Sequence, residues 1–218
     1  MSKIKFYLNY WLVYFPMTVI TFFCFHILNR VKVFGKTNVP KKGGLLIMAN
    51  HISALDSWLV GHIFFPRRIF FPAKAELFKG AVARVFFNLM GAFPVVRGRY
   101  NERVMRRIAE ISQKGTILMH PEGTRSPDGR VGKGMRGIGK IIYESKVPVL
   151  PVYHIGIQHF LPKGAIFPRF FKKMEIIIGK PMNFEEERKK EASKELYAEI
   201  SNKLMDNIRQ LAENRGAL

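Results

Sequence analysis

A histidine and a carboxylate stand close together in one short stretch of this 218-residue chain. Residues 50–56 read NHISALD, so His51 and Asp56 are separated by four residues. A histidine beside a carboxylate can act as a general base, because the imidazole removes a proton from a hydroxyl while the carboxylate fixes its tautomer and stabilises the imidazolium. The stretch therefore predicts a catalytic pair that activates a hydroxyl group.

The spacing of this pair imposes a condition on the local backbone. On one continuous helix, His51 and Asp56 would lie about 140° apart and face different sides. They can meet only if a turn intervenes, and Ser53 is a suitable helix cap after such a turn. The same residues also fit a capping box, in which Asp56 would serve only the start of a helix.

A second stretch, residues 120–126, reads HPEGTRS and offers groups that can hold a phosphate. Arg125 can bind phosphate through two parallel N–H bonds, and Gly123 permits close approach of the backbone amides. Glu122 could orient Arg125 or accept a hydrogen bond from a substrate hydroxyl. Arg97, at the end of a predicted strand, is a further cation. The alternative for the stretch is an exposed turn with a weak Arg–Glu pair.

Other kinds of chemistry find less support in the sequence. No G-x-S-x-G stretch is present, and Cys24 is the single cysteine, which excludes intrachain disulfides and cysteine-based zinc sites. Gly132, Gly134 and Gly137 match G-x-G-x-x-G, but no hydrophobic strand immediately precedes them. We predict neither a metal ion nor a bound nucleotide cofactor.

The charge balance predicts a polyanionic partner. Lys and Arg total 36 against 16 Asp and Glu, which gives a formal net charge of +20. Nucleic acid, an anionic membrane and phosphorylated substrates all suit such a charge. A non-enzymatic basic protein that binds nucleic acid or anionic membrane is therefore an alternative, although such binding requires neither His51 nor Asp56.

The beginning of the chain is strongly apolar. Residues 6–29 contain no charged side chain apart from His26, and cationic residues flank them on both sides. The run is long enough to span a bilayer, but Pro16 would kink or break a helix, so helices that lie in the interface are an equal alternative. We predict an anchoring segment at residues 1–30 and one catalytic domain at residues 31–218.

The rest of the chain alternates strands and helices. We predict strands at residues 31–35, 45–49, 68–71, 93–96, 116–120, 147–155 and 173–178, helices at 53–62, 76–90, 102–113, 136–145 and 185–214, and a long loop at 121–134. This alternation predicts an α/β fold in which a layered mixed sheet is flanked by helices. Side chains at strand ends in such sheets reach the crevice where ligands bind, and His51 follows the strand at 45–49.

The two stretches, in this order, resemble the glycerol-phosphate acyltransferase family, and the resemblance covers most of residues 45–155. Residues 50–56 look like its catalytic block. Residues 74–79, KAELFK, together with Arg97, look like a second block, and residues 122–126 look like a third; both are associated with the substrate phosphate. Residues 147–152, VPVLPV, look like a fourth block, associated with the acyl chain. His120 departs from the family, where phenylalanine is usual at this position.

The resemblance implies transfer of a fatty acyl chain from acyl-CoA or acyl carrier protein to the free hydroxyl of a lysolipid. The most similar subgroup acylates 1-acylglycerol 3-phosphate, lysophosphatidic acid; an acceptor that is another lysophospholipid or an aminolipid is the alternative. His51 would be the base and Asp56 its orienting partner. The phosphate would be bound by Lys74, Arg97, Glu122, Gly123, Thr124 and Arg125. Membrane lipids are the expected partners, with no nucleic acid, and the site is expected to face the cytoplasm.

Overall fold

The fold is centred on a mixed seven-stranded sheet within the residues that the computed structural model describes, which are 10–96, 101–162, 164–165 and 167–217. The strands are β1 (Lys32–Phe34), β2 (Leu45–Ala49), β3 (Ile69–Lys74), β4 (Ala92–Val95), β5 (Thr116–Met119), β6 (Val149–Ile155) and β7 (Glu175–Ile178). Their spatial order is β1-β7-β6-β2-β5-β3-β4. Neighbouring strands are parallel except for β6 and β7, which pair antiparallel. The predicted mixed α/β fold is confirmed.

Helices cover both faces of this sheet. They are α1 (Phe15–Phe22), α2 (Asp56–Ile63), α3 (Ala81–Leu89), α4 (Glu102–Lys114), α5 (Arg136–Ser145), α6 (Ile157–Phe160), α7 (Glu185–Lys189) and α8 (Lys194–Glu213). Successive residues of β2 point to opposite faces, so Leu46 and Met48 join the core beneath α4, α5 and α8. Leu45 and Ile47 join the core beneath α2. Every residue of β2 is fully buried, which makes it a rigid base for His51.

Two predicted helices are interrupted in the structure. The helix expected at 76–90 is divided into a 3₁₀ turn, Ala75–Phe78, and α3, because Gly80 between them has φ 83°, a conformation incompatible with a helix. The helix expected at 185–214 is divided into α7 and α8. Ser193 begins α8 by accepting a hydrogen bond from the backbone N–H of Leu196 at 3.0 Å, a cap that the prediction missed.

Strand β3 extends further than predicted. It continues to Lys74 rather than ending at Phe71, because Phe71–Lys74 pairs with Ala92–Val95 of β4. This partner lies about twenty residues further along the chain, so the local pattern does not reveal the extension. The longer strand places Lys74 at the end of β3.

The N-terminal segment is helical from Tyr10 to Leu28 in spite of Pro16. Wide π-helical turns, Tyr10–Tyr14 and Phe23–Leu28, flank α1. Pro16 lies in the first turn of α1, directly after the π-helical turn, so the change of hydrogen-bonding pattern falls beside the residue that has no N–H to donate. The kink or break that the proline predicted is therefore replaced by a change of helix type.

One face of the N-terminal segment packs on the domain. The Tyr14 hydroxyl contacts the carbonyl oxygen of Arg67 at 3.4 Å, and the Phe25 ring lies 5.3 Å from the His62 ring and 5.7 Å from that of Phe160. The other face is exposed and apolar; it carries Trp11, Leu12, Val19, Ile20, Phe22, Phe23 and Ile27. The window Trp11–Leu28 has mean hydropathy 1.8 and is long enough to cross a membrane by length and composition. This indicates membrane association. The predicted boundary at residue 30, between an anchoring segment and a catalytic domain, stays a prediction.

Candidate active site

The predicted site residues gather at one edge of the sheet. Strands β6, β2, β5, β3 and β4 are parallel, so their carboxyl ends meet there. His51 follows β2, Glu122 follows β5, and Lys74 is the last residue of β3. Neighbouring strands are about 4.8 Å apart, so the ends of the paired strands β2 and β5 bring His51 and Glu122 side by side.

A crevice opens in this edge because two strands separate. β3 pairs with β5 only through Ile69 and Phe70, and from Phe71 onward it pairs with β4 instead. The carboxyl ends of β5 and β3 are therefore not hydrogen-bonded to each other. Ligands in open α/β sheets bind at such an edge, beyond the ends of the strands.

His51 and Asp56 form a buried hydrogen-bonded pair. His51 Nδ1 lies 2.7 Å from Asp56 Oδ2, and Asp56 is completely buried. The predicted turn is present, but the helix begins at Asp56 rather than at Ser53. The same Asp56 oxygen accepts the backbone N–H groups of Ile52 at 2.7 Å and of Ser53 at 2.9 Å. Asp56 thus orients His51 and holds the turn together, so the two predicted roles coexist.

The surroundings favour the ionised form of Asp56. Burial alone would raise its pKa, but interactions with His154, His51 and His120 outweigh burial and lower it. An ionised Asp56 can only accept a hydrogen bond, so Nδ1 of His51 carries the proton. Nε2 of His51 then holds its lone pair, and it makes no hydrogen bond within the described part of the chain. This is the tautomer that a general base requires.

His120 lies flat against His51. The two ring centroids are 4.2 Å apart and the planes differ by 10°. Nδ1 of His120 lies 3.0 Å from the carbonyl oxygens of Ala49 and Asn50, so it must donate, and Nε2 accepts from the Ser57 hydroxyl at 3.2 Å. Burial, with a smaller contribution from His51, lowers the pKa of His120 to about 3. His120 is therefore a neutral, fixed ring.

A third imidazole, that of His154, supports the loop that carries Asn50 and His51. His154, fully buried in β6, donates from Nε2 to the carbonyl oxygen of Asn50 at 2.9 Å and lies 3.9 Å from Asp56 Oδ1. The Asn50 side chain pairs with the backbone of His154 through bonds of 2.9 and 2.8 Å. Burial lowers the pKa of His154. Sequence reasoning missed Asn50, Ser57 and His154, because their contacts depend on β6 and β5 both lying beside β2.

Three of these residues are close enough together to suggest a metal ion. The ligand atoms of His51, Asp56 and His120 lie within 4.8 Å of one another. However, both nitrogens of His120 already have protein partners, and Nδ1 of His51 is bonded to Asp56. Two parallel stacked rings also direct their lone pairs side by side rather than toward one point. The geometry fits a hydrogen-bonded pair better than a metal site.

The turn at residues 121–126 is joined to His51 through the backbone. The N–H of Ser126 donates to the carbonyl oxygen of His51 at 2.7 Å, and the N–H of Gly123 donates to that of His120 at 3.0 Å. Gly123 has φ 68°, which a residue with a side chain rarely adopts. Thr124 and Arg125 are exposed, and Arg125 has no hydrogen bond or ion pair within the described ranges. The guanidinium is thus available to a ligand.

Glu122 contacts His51 rather than Arg125. The backbone N–H groups of Gly132 and His51 donate to its carboxyl, and Oε1 is buried without a partner among the described atoms. Burial raises the pKa of Glu122 to about 7 in spite of these bonds. Lys74 is exposed at its strand end. Arg97 lies outside the described residues, so its predicted position is untested.

A narrow groove lies between the N-terminal segment and α2, and Ser57, the partner of His120, is one of its lining residues. It is lined by Tyr14, Met17, Thr18, Thr21, Ser57, Trp58, Gly61, His62, Ile69, Phe71 and Met90. Its cavity volume is about 30 Å³. This volume is close to the share of the liquid that a single water molecule occupies, so the groove is narrow where the N-terminal segment packs on α2.

Comparisons with known proteins agree on one family. A family model described as Acyltransferase matches residues 30–155. A 1-acyl-sn-glycerol-3-phosphate acyltransferase of Bacillus subtilis is 30% identical over 188 residues, which cover 85% of this chain and 89% of that protein. A chloroplastic relative of the same printed activity from Brassica napus is 28% identical over 157 residues; the match covers 70% of this chain but 45% of that protein.

A solved structure supports the same family assignment. The crystal structure of the 1-acyl-sn-glycerophosphate (LPA) acyltransferase PlsC from Thermotoga maritima superposes with a TM-score of 0.69 and 27% sequence identity. The match covers 92% of this chain and 78% of that one.

Proposed function

We propose, because the chain belongs to the acyltransferase family, that it transfers a fatty acyl group to the free hydroxyl of lysophosphatidic acid and so makes phosphatidic acid. The observation that carries this proposal is the His51–Asp56 pair at the crevice. Its Nε2 faces no protein partner in the described structure, as a base that receives a substrate proton requires.

The proposed reaction needs no covalent intermediate with the protein. Nε2 of His51 removes the proton of the acceptor hydroxyl as its oxygen attacks the thioester carbonyl. The tetrahedral intermediate collapses and expels the thiolate, which takes the proton from the His51 imidazolium. The negative charge of Asp56 stabilises that imidazolium, and general-base assistance of this kind contributes about 10²–10⁴-fold in rate.

The proposed phosphate site is the turn after β5 together with the cation Lys74 at the end of β3. Arg125 is exposed and unpaired in the described chain, and the positive φ of Gly123 lets the backbone approach a ligand closely. We assign Thr124, Lys74 and Arg97 to the same site. Glu122 acts in it by holding the turn against the backbone of His51. A phosphate at this turn brings the acceptor hydroxyl toward His51.

The donor is proposed to be a thioester, either acyl-CoA or acyl carrier protein. Both are anionic, and the net charge of +20 suits both. We propose that the exposed apolar face of the N-terminal segment lies against the membrane that supplies the lysolipid, with the active site toward the cytoplasm. The groove beneath this segment has a cavity of only about 30 Å³, so we propose that the segment shifts when an acyl chain enters it.

Product analysis tests this proposal directly. The purified full-length protein is given a panel of lysolipids with either acyl-CoA or acyl carrier protein, and the products are identified by mass spectrometry while free thiol is measured. We expect phosphatidic acid as the main product. Preferred acylation of a lysolipid without a phosphate monoester, or of an aminolipid, would contradict the proposed acceptor. Failure to release any thiol would contradict the enzyme itself and favour a basic binding protein.

A further inference from the structure

A second apolar and cationic surface lies at the edge of the sheet that carries His51. It is formed by residues 167–173, between α6 and β7, which we call the aromatic–basic loop. Its sequence, FPRFFKK, places three phenylalanines beside three cationic residues. Phe167 and Phe171 are each 81% exposed. Large apolar side chains grouped in this way on a surface mark an interaction site.

The backbone holds these side chains outward. Phe171 has φ 61°, a conformation that is costly for a bulky residue and persists only where the surroundings impose it. The neighbouring Phe170 ring packs on that of Phe160 at 5.7 Å, and the N–H of Arg169 donates to the Phe160 carbonyl oxygen at 2.7 Å. The base of the loop is therefore fixed while Phe167 and Phe171 point into solvent.

The aromatic–basic loop is joined to the carboxyl end of the N-terminal segment. The N–H of Lys172 donates to Oδ1 of Asn29 at 2.9 Å, and the N–H of Lys32 donates to the carbonyl oxygen of Met174 at 3.0 Å. Phe160, on which the loop packs, also contacts Phe25 of the segment. The loop thus extends the apolar surface that the segment presents.

The charge of this region has one sign. Residues 157–174 contain four Lys or Arg side chains and no Asp or Glu. Arg169, Lys172 and Lys173 line, with His159 and Pro162, an open cavity of about 280 Å³, which has room for a phosphate headgroup. Exposed aromatic rings combined with cations suit the interface of an anionic bilayer. An acidic protein partner would need the cations but not two largely exposed phenylalanines.

We propose that the aromatic–basic loop is a second membrane contact, in which Phe167 and Phe171 enter the headgroup region and the three cations bind lipid phosphates. This inference rests on the proposed membrane association of the chain. Two contacts at the same edge, the loop and the N-terminal segment, fix how the crevice faces the bilayer, which one helix alone would leave free to rotate.

A fluorescent label tests the position of the loop. The full-length protein first receives Cys24→Ser, which removes its single cysteine. Phe171→Cys in this background is then labelled with a polarity-sensitive dye. A matched control carries the same dye at Glu186→Cys, an exposed position in α7 at the opposite edge of the sheet. Vesicles of 70% phosphatidylcholine and 30% phosphatidylglycerol are added. We expect the emission at position 171, and not at 186, to shift to the blue. Acyl transfer to a short soluble substrate checks that both proteins fold.

Three results separate this inference from the proposed function. A label at 171 that stays in water while the protein co-sediments with vesicles overturns the loop contact alone. A shift that appears only when an acidic carrier protein is added overturns it in favour of protein docking. Absence of co-sedimentation overturns both the loop contact and the proposed membrane association.

Charge removal gives a second, quantitative test by lipid titration. Each cation near an anionic surface strengthens partitioning about fivefold, so Arg169→Gln/Lys172→Gln/Lys173→Gln should weaken binding to the same vesicles by about a hundredfold. The control Lys114→Gln/Lys180→Gln/Lys189→Gln makes the same change of charge at the opposite edge and should weaken it far less. Equal losses in the two triple variants would contradict a localised contact.

Discussion

The rings of His51 and His120 lie parallel, with their centroids 4.2 Å apart, at the ends of the neighbouring strands β2 and β5. Both nitrogens of His120 are occupied by hydrogen bonds, so this ring cannot turn freely. It forms a fixed surface against which His51 packs. The orientation of His51 therefore depends on two constraints, the bond to Asp56 in the ring plane and the stack above it.

Substitutions of His120 separate stacking from hydrogen bonding. His120→Phe keeps a flat ring but loses the bonds to the backbone and to Ser57, which should lower the unfolding free energy by about 1–3 kcal/mol while kcat changes little. His120→Ala also loses the stack and leaves a cavity, so kcat should fall about tenfold because the base is less well positioned. Urea denaturation and steady-state kinetics measure the two effects. Equal losses of kcat in both variants would show that the stack does not position His51.

Asp56→Asn tests the charge of the pair apart from its geometry. All three donors converge on one Asp56 oxygen, and an asparagine carbonyl can accept the same three hydrogen bonds. The variant should therefore keep its fold but lose stabilisation of the imidazolium, and kcat should fall about 10²-fold or more. Circular dichroism and initial rates of thiol release measure this. A folded variant that retains most of its kcat would show that the charge of Asp56 is not needed.

Glu122 should make stability depend on pH. Its pKa rises from the ordinary 4.5 to about 7 on folding, because the carboxyl is buried. The folded chain therefore binds more protons than the unfolded chain between these values, and the unfolding free energy falls as pH rises through that window. Glu122→Gln removes this loss, so at pH 8 it should be more stable than the parent by up to about 3 kcal/mol, with no such gain at pH 4.

A control of opposite sign comes from Glu187. Burial would raise its pKa, but its bond to Lys203 prevails and lowers it. That carboxyl stabilises the fold above its unfolded pKa and loses this effect as pH falls, so Glu187→Gln should destabilise the protein at pH 8. Denaturation curves at several pH values compare the two variants. If both shift in the same direction at pH 8, the assigned environment of Glu122 is wrong.

Arg125 should determine the affinity for the phosphate of the acceptor. Hydrogen bonds to charged groups are worth about 1.5–3 kcal/mol, so Arg125→Ala should raise KM for lysophosphatidic acid roughly 10- to 100-fold. KM for the acyl donor should change little, and Arg125→Lys should recover only part of the loss because lysine lacks the planar fork. Arg130→Ala, an exposed arginine in the same loop, is the control. An equal rise in both KM values would place Arg125 at the donor instead.

Most of the features that determine the chemistry of this protein could be predicted from its sequence. The mixed α/β fold, the enzyme class and the family were predicted from motifs and periodicity and are confirmed. The condition that a turn must separate His51 from Asp56 also followed from helix geometry. These features depend on local spacing, which a sequence displays directly.

What the sequence did not reveal depends on which strands are neighbours. His154 supports the loop of Asn50 only because β6 pairs with β2. Glu122 meets the His51 backbone only because β5 pairs with the other edge of β2. One of the two roles considered for Glu122, orientation of Arg125, rests on proximity in sequence, whereas the structure places the carboxyl against the His51 backbone. The apolar pattern predicted a helix that continues through Gly80, and the structure interrupts it there. A hydrophobic pattern carries no information about the φ angle of a glycine.

The rate of thiol release by His51→Ala tests the central claim most directly. Acyl-CoA and a short soluble lysophosphatidic acid analogue keep membrane effects out of the assay, and His159→Ala, an exposed histidine at the same edge, serves as the matched control. We expect His51→Ala to lose about 10²–10⁴-fold in kcat with its fold intact, while His159→Ala stays close to the parent rate. A well-folded His51→Ala protein that retains half of the parent rate would contradict the assignment of His51 as the base.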